Sequence, residues 1–255
     1  MNEKDKLYEK SPLTVADFVF DERVVRVFPD MINRSVPGYS LVLQMIGLIA
    51  GRFVQRDSCV YDLGCSLGAA TLTMRQAVKA PGVRFVAVDN SPDMIAQCRQ
   101  LVSSDGGLPP VEFDLADICH SKIENASMTV LNFTLQFIEP AQRLVLLKRI
   151  AAGTRDGGVL VLSEKIRFAE PEQQDIQTSL HHDFKRAQGY STLEIAGKPS
   201  ALERVLRPDT EAEHHERLQA AGWQKTVRCF QAFNFVTFLA FRNTGTGGGL
   251  VQHAG

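Results

Sequence analysis

The sequence predicts an α/β fold of the doubly wound kind, and three observations predict it. Short apolar strands alternate with amphipathic helices from residue 59 to residue 163. A glycine-bearing turn, Gly64-Cys65-Ser66-Leu67-Gly68, joins the first of those strands to a helix. The next strand ends in an acid, Asp89, at the interval after Gly64 where a nucleoside-binding βαβ unit places its ribose-binding carboxylate.

Taken in order, residues 1–20 carry few signals and read as an arm. Phe28-Pro29-Asp30-Met31-Ile32 and Val36-Pro37-Gly38-Tyr39 read as a loop stiffened by its two prolines. Tyr39 then precedes a helix whose Leu41, Met45, Leu48, Ile49 and Phe53 fall at helical spacing. That tyrosine is either plain packing, the commoner case, or a cover over a ligand at the Gly64 turn. Residues 59–63 form a buried strand ending at Asp62-Leu63, and residues 69–78 form a helix. Between them, glycine lets a ligand approach the backbone and the helix N–H groups face it. Asp62 can accept a hydrogen bond from a ligand amine or hydroxyl. With only Gly64 and Gly68, the turn by itself is also an ordinary strand–turn–helix connection.

Residues 84–88 are the second strand, and Ser91-Pro92 is a helix start with serine as cap and proline in the first helical position. Because Ser91 takes the cap, Asp89 is left for ribose. After a strand at 111–114, Asp117-Ile118 can hold an adenine, the carboxylate on the exocyclic amine and the isoleucine over the ring; a solvent-facing loop acid is the plain alternative. Residues 127–131 are a buried strand ending at Asn132, at the carboxyl edge where open α/β sheets bind ligands. A helix over 140–152, a turn at Arg155-Asp156-Gly157-Gly158 and a strand over 159–163, ending in Glu164-Lys165, follow.

Residues 170–203 read as a polar helical insertion between sheet strands. Its His181-His182-Asp183 is a poor metal site, since adjacent helical residues do not share a face. A helix over 209–221, stopped by Gly222, precedes an antiparallel pair at 225–230 and 235–241. The glycine-rich end, residues 243–255, reads as a flexible tail, leaving residues 1–242 as a single domain.

The 255 residues, 44% hydrophobic and 22% charged, leave room for one large domain and exclude global disorder. A formal net charge of −1 gives no general attraction to nucleic acid or an anionic membrane. The five cysteines are scattered without zinc spacing, as in reduced cytoplasmic proteins. The charged start has no apolar signal segment after it, and the longest apolar-rich stretch, residues 41–54, is interrupted and too short to span a bilayer.

The alternation with a closing hairpin resembles the Rossmann-like class I S-adenosylmethionine-dependent methyltransferase fold, a mixed seven-stranded sheet flanked by helices. Here it would carry an N-terminal helical arm and a helical insertion around 170–205. More closely, Phe20-Asp21-Glu22-Arg23-Val24, Phe28-Pro29-Asp30-Met31-Ile32, Arg34-Ser35-Val36-Pro37-Gly38-Tyr39-Ser40, Asp62-Leu63-Gly64-Cys65-Ser66-Leu67-Gly68, Asp89-Asn90-Ser91-Pro92, Glu124-Asn125-Ala126-Ser127-Met128, residues 131–137 and His181-His182-Asp183-Phe184-Lys185-Arg186 together resemble the carboxy-S-adenosyl-L-methionine synthase family. The resemblance implies conversion of S-adenosyl-L-methionine and prephenate to carboxy-S-adenosyl-L-methionine and phenylpyruvate. The product would be the donor for modification of the tRNA wobble uridine to 5-carboxymethoxyuridine by a separate enzyme.

The resemblance also implies a homodimer with no metal, no direct nucleic-acid binding and no membrane, and carries substrate binding onto Tyr39, Gly64, Cys65, Ser66, Asp89, Asn90, Asp117, Ile118 and Asn132. It assigns no catalytic residue. One position departs: Pro199 stands where the family has an arginine for the ligand carboxylate, with Lys198 and the more remote Arg204 as possible substitutes. Lysine would act as a point charge without arginine's bidentate fork. A conventional methyltransferase and a non-catalytic S-adenosylmethionine-binding protein share the fold and are the alternative readings.

Overall fold

A computed structural model of the chain describes residues 22–106, 109–191, 195 and 205–242. The arm at 1–20, the tail at 243–255 and most of the second half of the expected insertion, with Lys198, Pro199 and Arg204, lie outside the described residues.

Two helices, α1 (Glu22–Ser35) and α2 (Tyr39–Phe53), precede the alternating part. That part runs β1 (Cys59–Leu63), α3 (Ala69–Ala77), β2 (Arg84–Asp89), α4 (Pro92–Ser104), β3 (Val111–Leu115), β4 (Ala126–Asn132), a 3-10 turn (Leu135–Phe137), α5 (Pro140–Gly153) and β5 (Thr154–Lys165). It closes with α6 (Pro171–Ala187), α7 (Glu211–Ala220), β6 (Lys225–Ala232) and β7 (Phe235–Phe241). The strands form one seven-stranded sheet in the order β3-β2-β1-β4-β5-β7-β6. All pairs are parallel except those of β7, which runs antiparallel to β5 and β6. The order reverses beside β1, so the carboxyl ends of β1 and β4 flank the crevice where such sheets take ligands.

Helices cover both faces, which is why β1, β4 and β7 are buried along nearly their whole length. Period-two alternation divides their side chains. Leu131, Leu160, Leu162, Phe238 and Ala240 point into a core shared with Leu146 and Ile150 of α5 and Leu218 of α7. Val60, Met128, Val130, Val159, Val161 and Leu239 point the other way, to Val42 and Ile46 of α2 and Met74 of α3. Among the described residues no single helix is long and apolar enough to cross a membrane; α1 and α2 together have the length, but are bent by 95° at their junction.

Three expected boundaries are corrected. Phe28 to Ile32 is not a loop but the middle of α1, with Pro29 inside the helix. An interior proline forfeits a hydrogen bond and costs about 3 kcal/mol. Here the stripe of Val24, Val27 and Met31 is buried, and Asn33 Nδ2 donates to Pro29 O at 2.7 Å, so tertiary packing outweighs the local penalty. Residues 155–158 are not a free turn but the start of β5. Gly157 N–H donates to Arg242 O and Arg242 N–H to Gly158 O, each at 2.9 Å, extending the ladder past Phe241. The helix of the insertion ends at Ala187, because Gly189 at φ 88° turns the chain.

Candidate active site

The Gly64 turn is built around two left-handed glycines and a strained serine. Gly64 has φ 78°, Ser66 φ 50° and Gly68 φ 81°. At Gly64 a Cβ would stand 2.4 Å from Thr134 Cγ2, so only glycine lets the turn close on the segment after β4. The amides of this turn are largely used internally. Gly64 and Cys65 donate to Val88 O, Ser66 donates to Asp89 Oδ2 at 2.9 Å, and Gly68 donates to Cys65 O. The expected row of N–H groups facing a ligand is therefore reduced, and the polar capacity of the crevice sits on side chains.

Asp62 and Asp89 are the first of these. Asp62 is buried at the end of β1 and its Oδ2 accepts Thr71 Oγ1–H at 2.5 Å. Burial raises its carboxyl to about 6, against Thr71's hydrogen bonds and with the help of Asp89's charge. Asp89 ends β2 and accepts backbone N–H groups from both sides, Ser66 on Oδ2 and Ser91 on Oδ1 at 3.0 Å. Its carboxyl is also raised, by burial first. Ser91 caps α4 as expected, accepting Met94 N–H at 3.2 Å. A carboxylate has about four lone-pair sites, so the two amides orient Asp89 and leave it capacity for a ligand. Two desolvated acids with raised pKa values form a site that a cationic ligand relieves.

Asn132 ends β4 beside them, and its Oδ1 is buried with no partner among the described residues. A buried polar atom left unpaired costs on the order of 1–3 kcal/mol, which a donor on a ligand would recover. The next residue, Phe133, is held at φ 61°, an uncommon conformation for an aromatic side chain. Its N–H donates to Ser163 O at 2.8 Å, and its ring lies 6.3 Å from Tyr39 and 5.9 Å from Phe235. Tyr39 opens α2 directly after Gly38, which has φ 74°. Burial, and then the negative charge of Asp62, push its hydroxyl well above the ordinary range, so it stays a phenol facing a carboxylate.

Of the nine positions expected to bind the adenosyl substrate, Tyr39, Gly64, Ser66, Asp89 and Asn132 thus converge on the carboxyl ends of β1, β2 and β4. Cys65 reaches the crevice only through its backbone. Its side chain is buried in a small cluster with Cys98, and the hydrogen bond between the thiols, followed by burial, raises its pKa far above the ordinary value. Asn90 is exposed beside Asp89. Ala116 N–H donates to Asp89 O at 3.0 Å, which seats Asp117 and Ile118 next to Asp89. Asp117 is exposed, with Oδ1 accepting Cys119 N–H at 2.8 Å. Ile118 is buried in the same cluster as Leu63 and Val88, leaving little of it to cover an adenine. His181 of the histidine pair is a packing residue, with Nε2 2.8 Å from Ser35 O and its ring edge-on to Phe235. Among the described residues no group of three or more His, Cys, Asp or Glu side chains could hold a metal.

Sequence reasoning missed the support beneath Asn132. Glu164 is fully buried, its Oε1 accepts Leu135 N–H at 2.9 Å, and burial raises it to about 8. Gln136 accepts Lys165 N–H on Oε1 at 3.0 Å and donates to Phe133 O at 3.3 Å. Arg143, buried in α5, donates to the carbonyls of Ile138, Gln136 and Arg207 and to Asp209. These bonds fasten residues 133–138 to the ends of β5 and α5. The only sequence signal was an acid closing an otherwise apolar strand.

Comparison with known proteins gives the family and the fold. A family model described as a methyltransferase domain matches residues 60–158. The carboxy-S-adenosyl-L-methionine synthase of Trichlorobacter lovleyi is 56% identical over 239 residues, 93% of this chain and 98% of its own length. The synthase of the same name from Yersinia pestis is 51% identical over 240 residues, 94% of this chain and 90% of its own. Among solved structures, mitomycin 7-O-methyltransferase MmcR superposes with a TM-score of 0.56 at 15% identity, over 86% of this chain and 60% of that one, a likeness of fold alone.

Proposed function

The chain belongs to the carboxy-S-adenosyl-L-methionine synthase family, and from that premise we propose that it converts S-adenosyl-L-methionine to carboxy-S-adenosyl-L-methionine in the crevice between β1, β2 and β4, with prephenate as the carboxyl source. Phenylpyruvate is the second product, and the carboxylated sulfonium goes on to a separate enzyme that modifies the tRNA wobble uridine. The protein works as a cytoplasmic homodimer, and the near-zero net charge supports the reading that it binds neither tRNA nor an anionic membrane itself. What carries the reading is a coincidence: similarity to the synthases spans nearly the whole chain, and two desolvated acids meet an asparagine oxygen with no partner among the described residues at one sheet edge.

In this reading Asp89 takes the ribose hydroxyls. Asp117 takes the adenine amine. Asp62, with the Tyr39 phenol, faces the cationic amino-acid end, and Asn132 Oδ1 takes a donor there. A sulfonium acidifies its methyl C–H bonds. Aromatising prephenate loses CO2 and a hydroxide equivalent; the hydroxide takes one methyl proton to give water, and the resulting ylide captures CO2. The protein's part is to hold cation and anion together and keep bulk water out, so that positioning and fixed charge lower the barrier.

The test is mass spectrometry of nucleosides after incubation with S-adenosyl-L-methionine and prephenate labelled in the carboxylate it loses. Labelled carboxy-S-adenosyl-L-methionine is expected. Label entering only from dissolved bicarbonate would sink the ylide route. Bound but unconverted S-adenosyl-L-methionine would favour a conventional methyltransferase or a non-catalytic binder, and Pro199→Arg would then distinguish a weakened synthase from either.

A further inference from the structure

Helix α3 opens without the groups that usually satisfy a helix start. Its cap is Gly68, which offers no side-chain bond, and its first turn holds no acid. The first amides of a helix have no acceptor within the helix. Asp62, at the end of β1, supplies one from outside. Thr71, the third residue of α3, gives it two bonds, one from its backbone N–H and one from its hydroxyl, which reaches Oδ2 at 2.5 Å. Both residues are buried, Thr71 completely and Asp62 with 2% exposed.

The hydroxyl has a local alternative that it does not take. Two residues on, Thr73 Oγ1 donates to Ala69 O at 2.9 Å, a bond back to the preceding turn that helical threonines commonly make. Thr71 donates across to the strand instead. The other groups around Asp62 do not hold it ionised. Asp89 of β2 raises its carboxyl, Tyr39 of α2 faces it as a phenol, Cys65 of the turn faces it as a thiol, and β4 ends in the neutral Asn132. Arg75, one turn further along α3, spends its guanidinium on Pro109 O at 2.7 Å, Val102 O at 3.0 Å and Asp105. Burial and Asp89 thus work against ionisation of Asp62, and the bonds from Thr71 work for it.

A carboxylate has about four lone-pair sites, so two bonds can fix it and still leave capacity for a ligand donor. We propose that Thr71 is a positioning residue for the adenosyl substrate: its two bonds hold the Asp62 carboxylate ionised and in one orientation for the ammonium of the substrate's amino-acid end. Thr71 is fully buried, so it acts through Asp62 and not on the substrate itself. If Asp62 served only to satisfy the start of α3, the backbone N–H would suffice, and every residue but proline supplies that at position 71. The hydroxyl is what is particular to threonine here. The proposal rests on the reading that Asp62 faces the substrate's cationic end.

The test measures binding apart from turnover. S-adenosylhomocysteine has the same amino-acid end and no methyl group to react, and its affinity for the full-length protein is followed by calorimetry from about pH 5.5 to about pH 8.5. Thr71→Val keeps the shape of threonine and lacks the hydroxyl. It is expected to raise the pH midpoint of binding by about one unit, so that affinity is about fivefold below wild type near pH 6 and within about twofold of it at pH 8.5. Thr71→Ser, which keeps the hydroxyl, should follow the wild-type curve. In an Asp62→Asn background, adding Thr71→Val should change affinity by less than about twofold, because the group it acts through is gone. That pair also decides the matter if Thr71→Val alone does not fold, since it leaves no buried carboxylate unpaired. Unchanged binding in Thr71→Val, a loss equal at every pH, a serine variant as weak as the valine one, or a further loss in the Asp62→Asn background overturns the proposal, even if the wild type makes carboxy-S-adenosyl-L-methionine. A pH-dependent loss that serine restores, in a protein with no carboxyl transfer, leaves the proposal standing and removes the proposed function.

Discussion

Replacing Glu164 by glutamine tests how the floor of the site is built. The carboxyl is completely buried, Oε1 accepts Leu135 N–H, and Oε2 has no partner among the described residues. Burial raises its pKa from 4.5 to about 8, against the Leu135 amide and the positive charge of Arg143. At neutral pH the group is therefore mostly protonated in the fold and ionised in the unfolded chain. The native state binds the extra proton, so the stability from this residue is complete below about pH 4.5 and is lost as pH rises through about 8. From about pH 5 to about pH 8, roughly three units at 1.36 kcal/mol each give on the order of 4 kcal/mol. Glu164→Gln is neutral at every pH and keeps the acceptor for Leu135. Urea unfolding of both proteins across that range should show the variant gaining about 4 kcal/mol on the wild type as pH rises. Asp62 and Asp89 titrate in both and cancel in the difference. Curves that stay parallel would refute the reasoning, because they would mean that Glu164 is ionised and solvated in the native protein.

Gly64→Ala should abolish detectable S-adenosyl-L-methionine binding by calorimetry and lower stability by about 2 kcal/mol or more, since the new methyl adds a left-handed alanine to a 2.4 Å collision with Thr134. S-adenosyl-L-methionine affinity should fall by up to about tenfold per pH unit below about 6, where Asp62 takes up a proton and no longer faces the ligand cation. In Asp62→Asn the affinity should be weaker throughout and nearly flat with pH; a wild-type affinity that is flat between about pH 5 and 7 would remove Asp62 from the cation site. Arg143→Met should cost about 3–5 kcal/mol in urea unfolding, because it removes a donor from the carbonyls of Ile138, Gln136 and Arg207 and leaves Asp209 with Arg217 alone, and it should push Glu164 still higher.

What could be read from the chain was local. The Gly64 turn, Asp89 and the Ser91-Pro92 helix start each declare themselves within a few residues, and the structure places Ser91 as the cap and both glycines at positive φ. The closing pair of strands was equally legible, because residues 235–241 are an apolar run that only a doubly covered strand can bury. The failures were non-local. Pro29 breaks a helix by every local rule, yet the stripe of Val24, Val27 and Met31 packs well enough to keep α1 continuous. Phe133 gives no sign that it sits at φ 61°, since that angle is imposed by its N–H bonding to Ser163 on the neighbouring strand. The engagement of the turn amides with Val88 and Asp89 depends on how β1 and β2 pair, which no spacing in the turn encodes.

The same non-local logic explains how a site with little catalytic apparatus can be well defined. The strands at its floor use their two faces for two purposes. On the α2 face, Asp62, Asn132 and Lys165 are set at successive strand ends, a carboxylate, an amide oxygen and an ammonium. On the opposite face, Glu164 and Arg143 spend their hydrogen bonds on backbone groups of residues 133–138 and on the segment entering α7. Side chains one residue apart on β5 therefore face different sides: Glu164 fixes where the chain after Asn132 goes, and the Lys165 N–H is held by Gln136 Oε1. A reaction that needs a cation and an anion pressed together gains most from such fixed geometry, because the electrostatic contribution of each group falls steeply if the floor can shift. Misplacement of the Phe133–Phe137 segment would move Asn132, the aromatic wall and the Gly64 turn together, since Thr134 packs against that glycine and Gln136 holds Lys165. Thus Glu164 and Arg143, neither of which touches a substrate in this arrangement, set the relative position of everything that does.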